Sequence, residues 1–534
     1  MKMKNIIKIA MAAVVLVGVT GCNDYFQELN RPHGALTEED LNRDNLRSSS
    51  MIPEMELYIV PNESAGSFQH GENLVGDVWG RTLMSKPGGN GESWGGDFSW
   101  YSYDGPHWLS NPFSGAMGFY QPYISTWGFT NHDSDNNVWA IARIMRVATM
   151  HRLADMYGPI PYTKVDPEDL DLYIPYDTEE TVWTTMLEDL STAIDDLENC
   201  ILIGSASDIT NFDRIYQGDM HKWLKYANSL LLRLAVRVSN VRPDLTAQYA
   251  QKAINGGVIE ANSDNAMFNM RIGAMRDRRS MLYIMAYEYN DTFAAADMVC
   301  YMNGYNDNRR SAYFTTYTVT DPKTGTSEEV YAGLRAGSRG NETDIRSICS
   351  RPNVGQYDNY PLLTAAEVAF LRAECVLQGW TNDSKSAQNF YEDGIRLSFT
   401  QWDVAGAESY IADNTSKPAD FVDYLGLSED ATAPSTITIA WANDGKELQR
   451  IITQKYLALY PLGHEVWCDC RRTGYPEFIP VLSGKVSSAY ANMKVANRLK
   501  FSVDEAQTNG ANLAEAITFL NGSDDYSTKL WWAK

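Results

Sequence analysis

The sequence predicts a mainly α-helical protein, in which helical hairpins form a tetratricopeptide-like scaffold that carries a large irregular, loop-rich part. Through most of the 534 residues, apolar side chains recur at the three-and-four spacing of helices. Pairs of such segments are joined by short turns, as in stacked helical repeats. Two long insertions, at about 62–130 and 260–355, interrupt the pattern. The strict repeat consensus is missing, so the pattern predicts the type of scaffold and not a regular array.

The longest clean helical pattern covers 138–157 and ends in a rigid turn. Gly158 suits the left-handed position after a helix, and the two prolines that follow fix φ and remove backbone donors. We expect a buried core helix with a sharp exit, and we expect Arg143 and Arg146 to lie off its buried face. The residues expected on that face are Val138, Ile141, Met145, Ala148, Leu153 and Met156.

Three helices are predicted next, and the last two of them are expected to form a hairpin. Asp177 and Glu180 have the spacing of a capping box, which predicts a helix over 178–197. Asp219 is placed to cap the following helix, and Asp244 is expected to begin a shorter one that ends at a pair of glycines. The short connection between these last two helices predicts an αα-hairpin.

Three helices are predicted in the C-terminal half. The first begins at the capping box Thr364–Glu367 and ends at Gly379. The second covers 384–399 and packs back on the first. The third covers 446–460 and stops at Pro461, which cannot continue a helix.

The amino-terminal composition predicts a lipoprotein. Three lysines precede an apolar run from Ile9 to Val19, which is shorter than the roughly 20 residues of a membrane-spanning helix. The run ends in small residues before Cys22, as in bacterial lipoprotein signals. We therefore expect residues 1–21 to be removed, Cys22 to be diacylated and residues 22–36 to form a flexible tether before one domain at 37–534. The alternative is an ordinary secretory signal with a cysteine there by chance.

The net charge excludes several classes of partner. Lys and Arg number 45 against 68 Asp and Glu, which gives a formal charge of −23. Such a surface repels nucleic acid and anionic lipid headgroups. We therefore expect no nucleic-acid partner, and we expect membrane attachment through the acyl chains on Cys22.

The remaining cysteines are interpreted as buried free thiols. The six residues are scattered through a large core-forming chain and lack the density of a disulfide scaffold. His464, Cys468 and Cys470 resemble part of a zinc site, but a fourth ligand and the usual two-residue cysteine spacing are missing, so we expect no metal. Arg471 and Arg472 are interpreted as members of a structural ion-pair and stacking cluster, in preference to a carboxylate or phosphate clamp.

The region from 94 to 129 is the strongest candidate for ligand binding. Twelve of its 36 residues are aromatic, against 12% of the whole chain, and glycines and polar residues separate them. Flat rings beside adaptable hydrogen-bonding groups suit the capture of sugars and peptides. The alternative is that these rings pack beneath the insertion. The candidate ligand-binding residues are Trp94, Trp100, Tyr103 and Trp108.

A second tyrosine-rich insertion lies at 281–310. Its tyrosines are followed by asparagine and arginine, and this combination of residue types is again suited to ligand binding. Tyr305 is predicted to face the ligand from across the site. The polar run 131–137 also offers oxygen ligands that would suit calcium, but it directly precedes the helix at 138, so we favour N-capping.

Five motifs distributed over most of the chain resemble the signatures of one family, the SusD/RagB outer-membrane lipoproteins. The motifs are Asp155–Tyr162 (DMYGPIPY), Leu363–Glu374 (LTAAEVAFLRAE), Gln454–Leu459 (QKYLAL), Gly463–Pro476 (GHEVWCDCRRTGYP) and the pair Trp531–Trp532.

The resemblance implies a function in nutrient uptake. It implies a helical scaffold with an irregular, ligand-facing half, anchored at the cell surface above a TonB-dependent, SusC-like transporter. It implies an oligosaccharide or oligopeptide ligand and a binding protein with no catalytic residues or cofactor. The alternatives are a helical glycoside hydrolase, since so many acidic residues include possible catalytic pairs, and a structural interaction scaffold.

Overall fold

The computed structural model describes residues 46–85, 110–168, 173–273, 275–320, 325–338, 349–424, 426, 428–482 and 493–534. Residues 49–534 form one compact unit, and residues 1–48 form a separate one of which only 46–48 are described. Cys22 and the signal segment therefore lie outside the described residues. Within the described part of the chain, no helix is both long and apolar enough to cross a bilayer.

The compact unit is mainly helical, as the sequence predicts. Its longer helices in the first half are α1 (Ile52–Ile59), α2 (Ala65–Phe68, continued by the π-helix π1 at Gln69–Asp77), α3 (Ser110–Met117), α4 (Tyr120–Thr130), α5 (Asn137–Tyr157), α6 (Glu179–Ile203), α7 (Met220–Arg237) and α8 (Pro243–Gly256). The helices that follow are α9 (Met281–Tyr283, continued by π2 at Ile284–Glu288), α10 (Ala296–Gly304), α11 (Arg310–Tyr313), α12 (Ala365–Gln378), α13 (Ala387–Gln401), α14 (Ala407–Ile411), α15 (Glu447–Ala458), α16 (Gly463–Thr473), α17 (Val503–Thr508) and α18 (Gly510–Phe519).

In the described residues, six short strands form three antiparallel pairs. The pairs are β1 (Leu83–Ser85) with β3 (Thr292–Ala294), β2 (Ala266–Phe268) with β6 (Tyr360–Leu363), and β4 (Tyr317–Thr320) with β5 (Ser327–Val330). In the first pair Ser85 lies opposite Thr292, so the pair joins residues that are far apart in the chain. In the second pair Phe268 lies opposite Tyr360. The first two ladders therefore join segments that are far apart in the chain, and the third is a local hairpin.

Helix α5 is the centre of the scaffold and confirms the sequence prediction. The Asn136 side chain accepts hydrogen bonds from the backbone N–H groups of Val138 and Trp139, so the polar run before the helix acts as a cap. Gly158 ends the helix at φ +86°. Every residue of α5 is buried except Arg143 and Arg146. The stripe predicted from the sequence is thus part of a helix surrounded by protein on nearly all sides.

Arg146 joins α5 to the turn that follows it. Its Nη2 donates to the backbone oxygen of Tyr162 at 2.6 Å, and its guanidinium carbon lies 4.1 Å from the centre of the Tyr162 ring. Asp177 completes the turn, because its carboxylate accepts hydrogen bonds from the backbone N–H groups of Tyr162 and Thr163. Thr178, and not the predicted Asp177, therefore caps α6.

Paired helices form the predicted scaffold. Helix α5 packs against α6, α7 against α8, and α12 against both α13 and α15. Asp219 and Thr364 cap α7 and α12 as predicted, by accepting from Lys222 N and Glu367 N. The Glu367 carboxylate does not complete a capping box, because it pairs with Arg233 instead.

Residues 110–130 correct the prediction of an irregular segment. They form helices α3 and α4, in which Phe113, Phe119, Tyr120 and Tyr123 are buried against the core. Trp127 is half-buried and stacks on the His132 ring, with centroids 4.6 Å apart. The aromatic content concealed a helical spacing at Tyr120, Tyr123 and Trp127.

A buried ion-pair cluster connects the scaffold helices. Glu465 of α16 accepts from Arg237 of α7 at 2.5 Å and lies 3.5 Å from Arg233 of the same helix. Burial acts to raise the pKa of Glu465, but the two guanidinium groups outweigh it and hold the pKa well below its ordinary value. Arg233 also donates to both oxygens of Glu367 on α12, at 2.6 and 2.8 Å. Three helices thus share one set of charges.

The same cluster extends to the other helices around α5. Arg152 of α5 pairs with Glu72 of π1, and Lys455 of α15 pairs with Asp469 of α16 at 2.8 Å. All of these side chains are buried. Removing one partner from such a pair leaves an uncompensated charge in the interior.

Arg471 and Arg472 are structural, as the sequence predicts. The Arg471 guanidinium lies 3.5 Å from the centre of the Trp467 ring and 4.8 Å from that of Trp532. Arg472 donates to both oxygens of Glu374, at 2.6 and 2.8 Å. The fully buried Trp532 fixes the carboxyl end, and the six cysteines outside the signal region are buried free thiols, as predicted.

Replacing Met145 by aspartate should destabilise the protein by several kcal/mol, because the Met145 side chain is fully buried and an aspartate there would have no partner. Thermal denaturation measures the effect. Ala511→Asp is the control, since Ala511 lies exposed in the first turn of α18. A Met145→Asp midpoint equal to that of the control would contradict the assigned core face.

Removing Arg233 should be far more costly than removing an exposed arginine. Arg233→Met leaves the Glu367 carboxylate without its buried partner and removes one of the two arginines beside Glu465, so it should lower the free energy of unfolding by roughly 3–5 kcal/mol. Arg242→Met breaks an exposed pair with Asp244 and should lower the free energy of unfolding far less, because water and salt screen exposed charges. Urea unfolding of the two variants and the parent gives the comparison. Equal losses would show that the buried cluster does not hold the helices together.

Candidate functional site

The candidate site lies where the irregular segments meet the scaffold. Trp94, Trp100, Tyr103 and Trp108 all fall within 86–109, which is outside the described residues. The structure does define where this segment starts and ends. It leaves from Ser85, which is paired with Thr292, and it returns at α3, which packs against α5 and π1.

Three partly exposed tyrosines precede Thr292, the strand partner of Ser85, in the chain. Tyr283 and Tyr287 are half-buried, with ring centres 5.1 Å apart, and Tyr289 is 43% exposed. Tyr289 is three residues before Thr292, the partner of Ser85. We call Tyr283, Tyr287 and Tyr289 the tyrosine surface. It offers accessible rings a few residues before the strand that pairs with Ser85.

The tyrosine surface is held by hydrogen bonds and charge. The Tyr287 hydroxyl donates to the backbone oxygen of Pro352 at 2.7 Å, which fixes the ring. Burial raises the pKa of Tyr287, and the nearby Arg351 opposes this rise. Arg351 in turn donates to the Asn290 side chain at 3.0 Å. These contacts place aromatic rings, amide groups and a guanidinium on one surface, which is a mixture suited to polar ligands.

Tyr305 belongs to the core, and the prediction that it faces a ligand is wrong in this structure. It is only 2% exposed, and its hydroxyl donates to the backbone oxygen of Ile437 at 2.9 Å. Its ring packs edge-on against Tyr410, and the neighbouring Tyr301 packs against Tyr456. Tyr301 and Tyr305 are four residues apart at the end of α10, a spacing that already indicates a shared buried face.

A cavity of about 260 Å³ opens beside the tyrosine surface. Its lining combines buried apolar residues with exposed amides and one carboxylate. The lining residues are Met267, Ser280, Leu282, Asn353, Val354, Asp358, Asn359, Tyr360, Pro361, Gln401, Trp402, Tyr460 and Pro461. They come from β2, the start of α9, β6 and the segment before it, the end of α13 and the residues after α15, so no local sequence pattern brings them together.

Among the residues that the structure describes, one group of side chains has the composition of a metal site. Atoms of Asp155, His464 and Cys468 lie within 4.8 Å of one another, and all three residues are buried. Arg471 donates to the Cys468 sulfur at 3.1 Å, and Arg237 lies 3.6 Å from the Asp155 carboxylate. Two cations therefore already approach the atoms that would bind a metal.

The histidine of this group is neutral at ordinary pH. Burial, together with the nearby Arg152, lowers the pKa of His464 to about 3. Its Nε2 lies 3.4 Å from the Asp155 carboxylate. We interpret the three residues as an extension of the buried ion-pair cluster.

Comparison with known proteins identifies the family. The family model for SusD-like proteins, described as Susd and RagB outer membrane lipoprotein, matches residues 28–533. No curated protein matches the chain.

Solved structures of the family resemble the chain over nearly its whole length. A SusD-like protein from Bacteroides thetaiotaomicron is 33% identical, with a TM-score of 0.82 over 91% of this chain and 98% of that one. A SusD homologue from Bacteroides uniformis is 34% identical, with a TM-score of 0.79 over 91% and 99%. A chitin-binding SusD homologue from Flavobacterium johnsoniae is 30% identical, with a TM-score of 0.82 over 91% and 98%. Because both the family model and these structures cover almost the entire folded region, the chain belongs to the SusD/RagB family of outer-membrane lipoproteins.

Proposed function

We propose that the protein captures an oligosaccharide at the cell surface and delivers it to a partner TonB-dependent, SusC-like transporter without cutting it. The observation that carries the proposal is the tyrosine surface, which precedes the strand paired with Ser85 and borders a cavity with a polar rim. Rings that stack on the apolar faces of sugars, with amides nearby, are the chemistry that glycan binding needs.

A neutral glycan is the favoured ligand. The Flavobacterium johnsoniae homologue is a chitin-binding protein, and chitin is a neutral glycan. The formal charge of −23 also disfavours ligands that carry negative charge. An oligopeptide remains the alternative ligand, and the titration described below distinguishes the two.

The candidate rings of the aromatic segment retain their proposed role. Trp94, Trp100, Tyr103 and Trp108 would extend the tyrosine surface and supply further stacking contacts. Attachment to the outer membrane is proposed to depend on the diacylated Cys22, with residues 22–36 as a tether. The family's description as outer-membrane lipoproteins supports both the compartment and the mode of attachment.

Replacing Cys22 by alanine should release the protein from the outer membrane, because the apolar run before it is too short to anchor the mature chain. Cell fractionation followed by quantitative immunoblotting measures the membrane-bound fraction. Cys200→Ala removes a thiol from the folded unit and should leave that fraction unchanged. If Cys22→Ala stayed fully in the outer membrane, the lipid anchor would have to be abandoned.

Single alanine substitutions at Trp94, Trp100, Tyr103 and Trp108 should weaken glycan binding in at least one variant. A ring that stacks on a sugar contributes on the order of 1–3 kcal/mol, so the dissociation constant should rise roughly five- to 150-fold. Calorimetric titration with chitohexaose, maltohexaose, cellohexaose and a set of defined tripeptides measures the change.

Two controls complete the titration. Tyr173→Ala removes a ring that is 58% exposed, in a segment held by Asn512 of α18, and should bind like the parent. Tyr305→Ala should lower the melting temperature, because Tyr305 is in the core. If all four segment variants bound the ligand like the parent at unchanged stability, the site would lie elsewhere. Cleavage of a glycan during titration would replace the binding proposal with the hydrolase alternative.

A further inference from the structure

We propose that the cavity beside the tyrosine surface is a subsite that holds one neutral pyranose ring of the bound glycan. The inference deepens the proposed function and rests on it, because it assigns one part of the glycan to a particular set of residues. It adds a binding site to the exposed rings, and this site lies outside the aromatic segment.

The floor of the cavity is apolar and buried. Leu282, Pro361, Tyr460 and Pro461 are all buried and line it, and the partly buried Val354 and Trp402 form its sides. Such a floor suits the apolar face of a sugar ring, where C–H groups contact aromatic and aliphatic carbon. A strongly hydrated ion gains nothing from this floor.

The aromatic wall is fixed before any ligand arrives. The Tyr460 hydroxyl donates to the backbone oxygen of Tyr313 at 3.1 Å, and the two rings stack with centres 4.4 Å apart. Trp402 packs against both, at 4.8 Å from Tyr313 and 5.8 Å from Tyr460. Because the three rings hold one another, binding a ligand on this wall does not require ordering of flexible side chains, which favours affinity.

The rim has hydrogen-bonding groups to spare. The Asn353 Nδ2 donates to the backbone oxygen of Ser311, and the Gln401 Oε1 accepts a hydrogen bond from the Asn265 side chain. The Asp358 Oδ2 accepts a hydrogen bond from the backbone N–H of Gly355. Within the described residues, Asn353 Oδ1, Gln401 Nε2 and Asp358 Oδ1 have no protein partner. Two acceptors and one donor of this kind complement sugar hydroxyl groups, each of which both donates and accepts.

Charge and size restrict the ligand further. The lining residues include one carboxylate, that of Asp358, and no lysine, arginine or histidine. A uronate or a sulfated sugar would therefore place a second anion in the cavity without a counter-ion. The volume of about 260 Å³ is below the roughly 300–1,000 Å³ of sites that enclose a whole ligand. The cavity therefore suits one neutral ring of a longer glycan.

The chain connects the cavity directly to the tyrosine surface. The backbone oxygen of Pro352 accepts from the Tyr287 hydroxyl, and the next two residues, Asn353 and Val354, line the cavity. Leu282 lines the cavity, and the adjacent Tyr283 packs on Tyr287. A glycan with one ring in the cavity can thus continue across the exposed rings.

Filling the cavity tests the proposal. Val354→Trp places a large side chain on the cavity wall and should weaken binding of chitohexaose, maltohexaose or cellohexaose, whichever binds the parent, by roughly tenfold or more. Val422→Trp is the matched control, because Val422 is 46% exposed and does not line the cavity. Binding is measured by calorimetric titration of the full mature chain, and melting temperatures are compared to confirm that both variants fold.

A second variant keeps the test informative if Val354→Trp fails to fold. Gln401→Ala removes the spare donor and should weaken binding roughly two- to tenfold, the range for one lost hydrogen bond. Gln388→Ala is the control on the same helix, where the Gln388 side chain bonds Glu392 at an exposed position. The control should bind like the parent.

The possible results separate this proposal from the proposed function. If both cavity variants bound the glycan like the parent while Tyr283→Ala weakened it, the subsite would be refuted and glycan capture would stand. If a tripeptide bound the parent and no hexasaccharide did, the neutral-sugar assignment and the glycan function would both be rejected. If none of the probes bound the parent, both would be rejected as well.

Discussion

The buried carboxylate of Glu465 is the point on which the helical scaffold depends. It lies between two arginines of α7, and one of these arginines also holds Glu367 of α12. Moving any of the three helices would separate a buried charge from its partner, which costs several kcal/mol. Neighbouring buried pairs add α5, π1 and α15 to the same network. The charges therefore admit one relative arrangement of the helices, and the irregular part is built on that arrangement.

The scaffold is the part that sequence patterns predict well, because its signals are local. Asn136, Asp219 and Thr364 cap helices through bonds to residues two or three positions away, and Gly158 ends α5 through its own backbone angle. The prediction failed where a side chain serves a distant element. Asp177 has the right spacing for a cap, but it binds the backbone of 162–163 on the far side of a turn. Nothing in the sequence around Asp177 indicates that partner.

The candidate site is less predictable, for two physical reasons. Aromatic residues serve both cores and binding surfaces, so composition alone placed Tyr305 at the ligand, whereas its hydroxyl is satisfied inside the protein. The cavity is assembled from segments up to nearly 200 residues apart, from Met267 to Pro461, so only the tertiary fold brings its lining together. The other candidate rings lie in a glycine-rich segment outside the described residues, and their role in ligand binding remains a prediction. These rings are Trp94, Trp100, Tyr103 and Trp108.

The pairing of Ser85 with Thr292 has a consequence for how such proteins diversify. The segment 86–109 starts from this pair and ends at α3, and both ends rest on fixed elements. The free-energy cost of closing a chain segment between fixed ends, which comes from lost chain entropy, rises by only about 0.6 kcal/mol for each doubling of its length. A change in the number of residues between these ends therefore adds little to the cost of closing the chain. The length of this segment can therefore vary between related chains while the buried charges hold the scaffold helices in one arrangement.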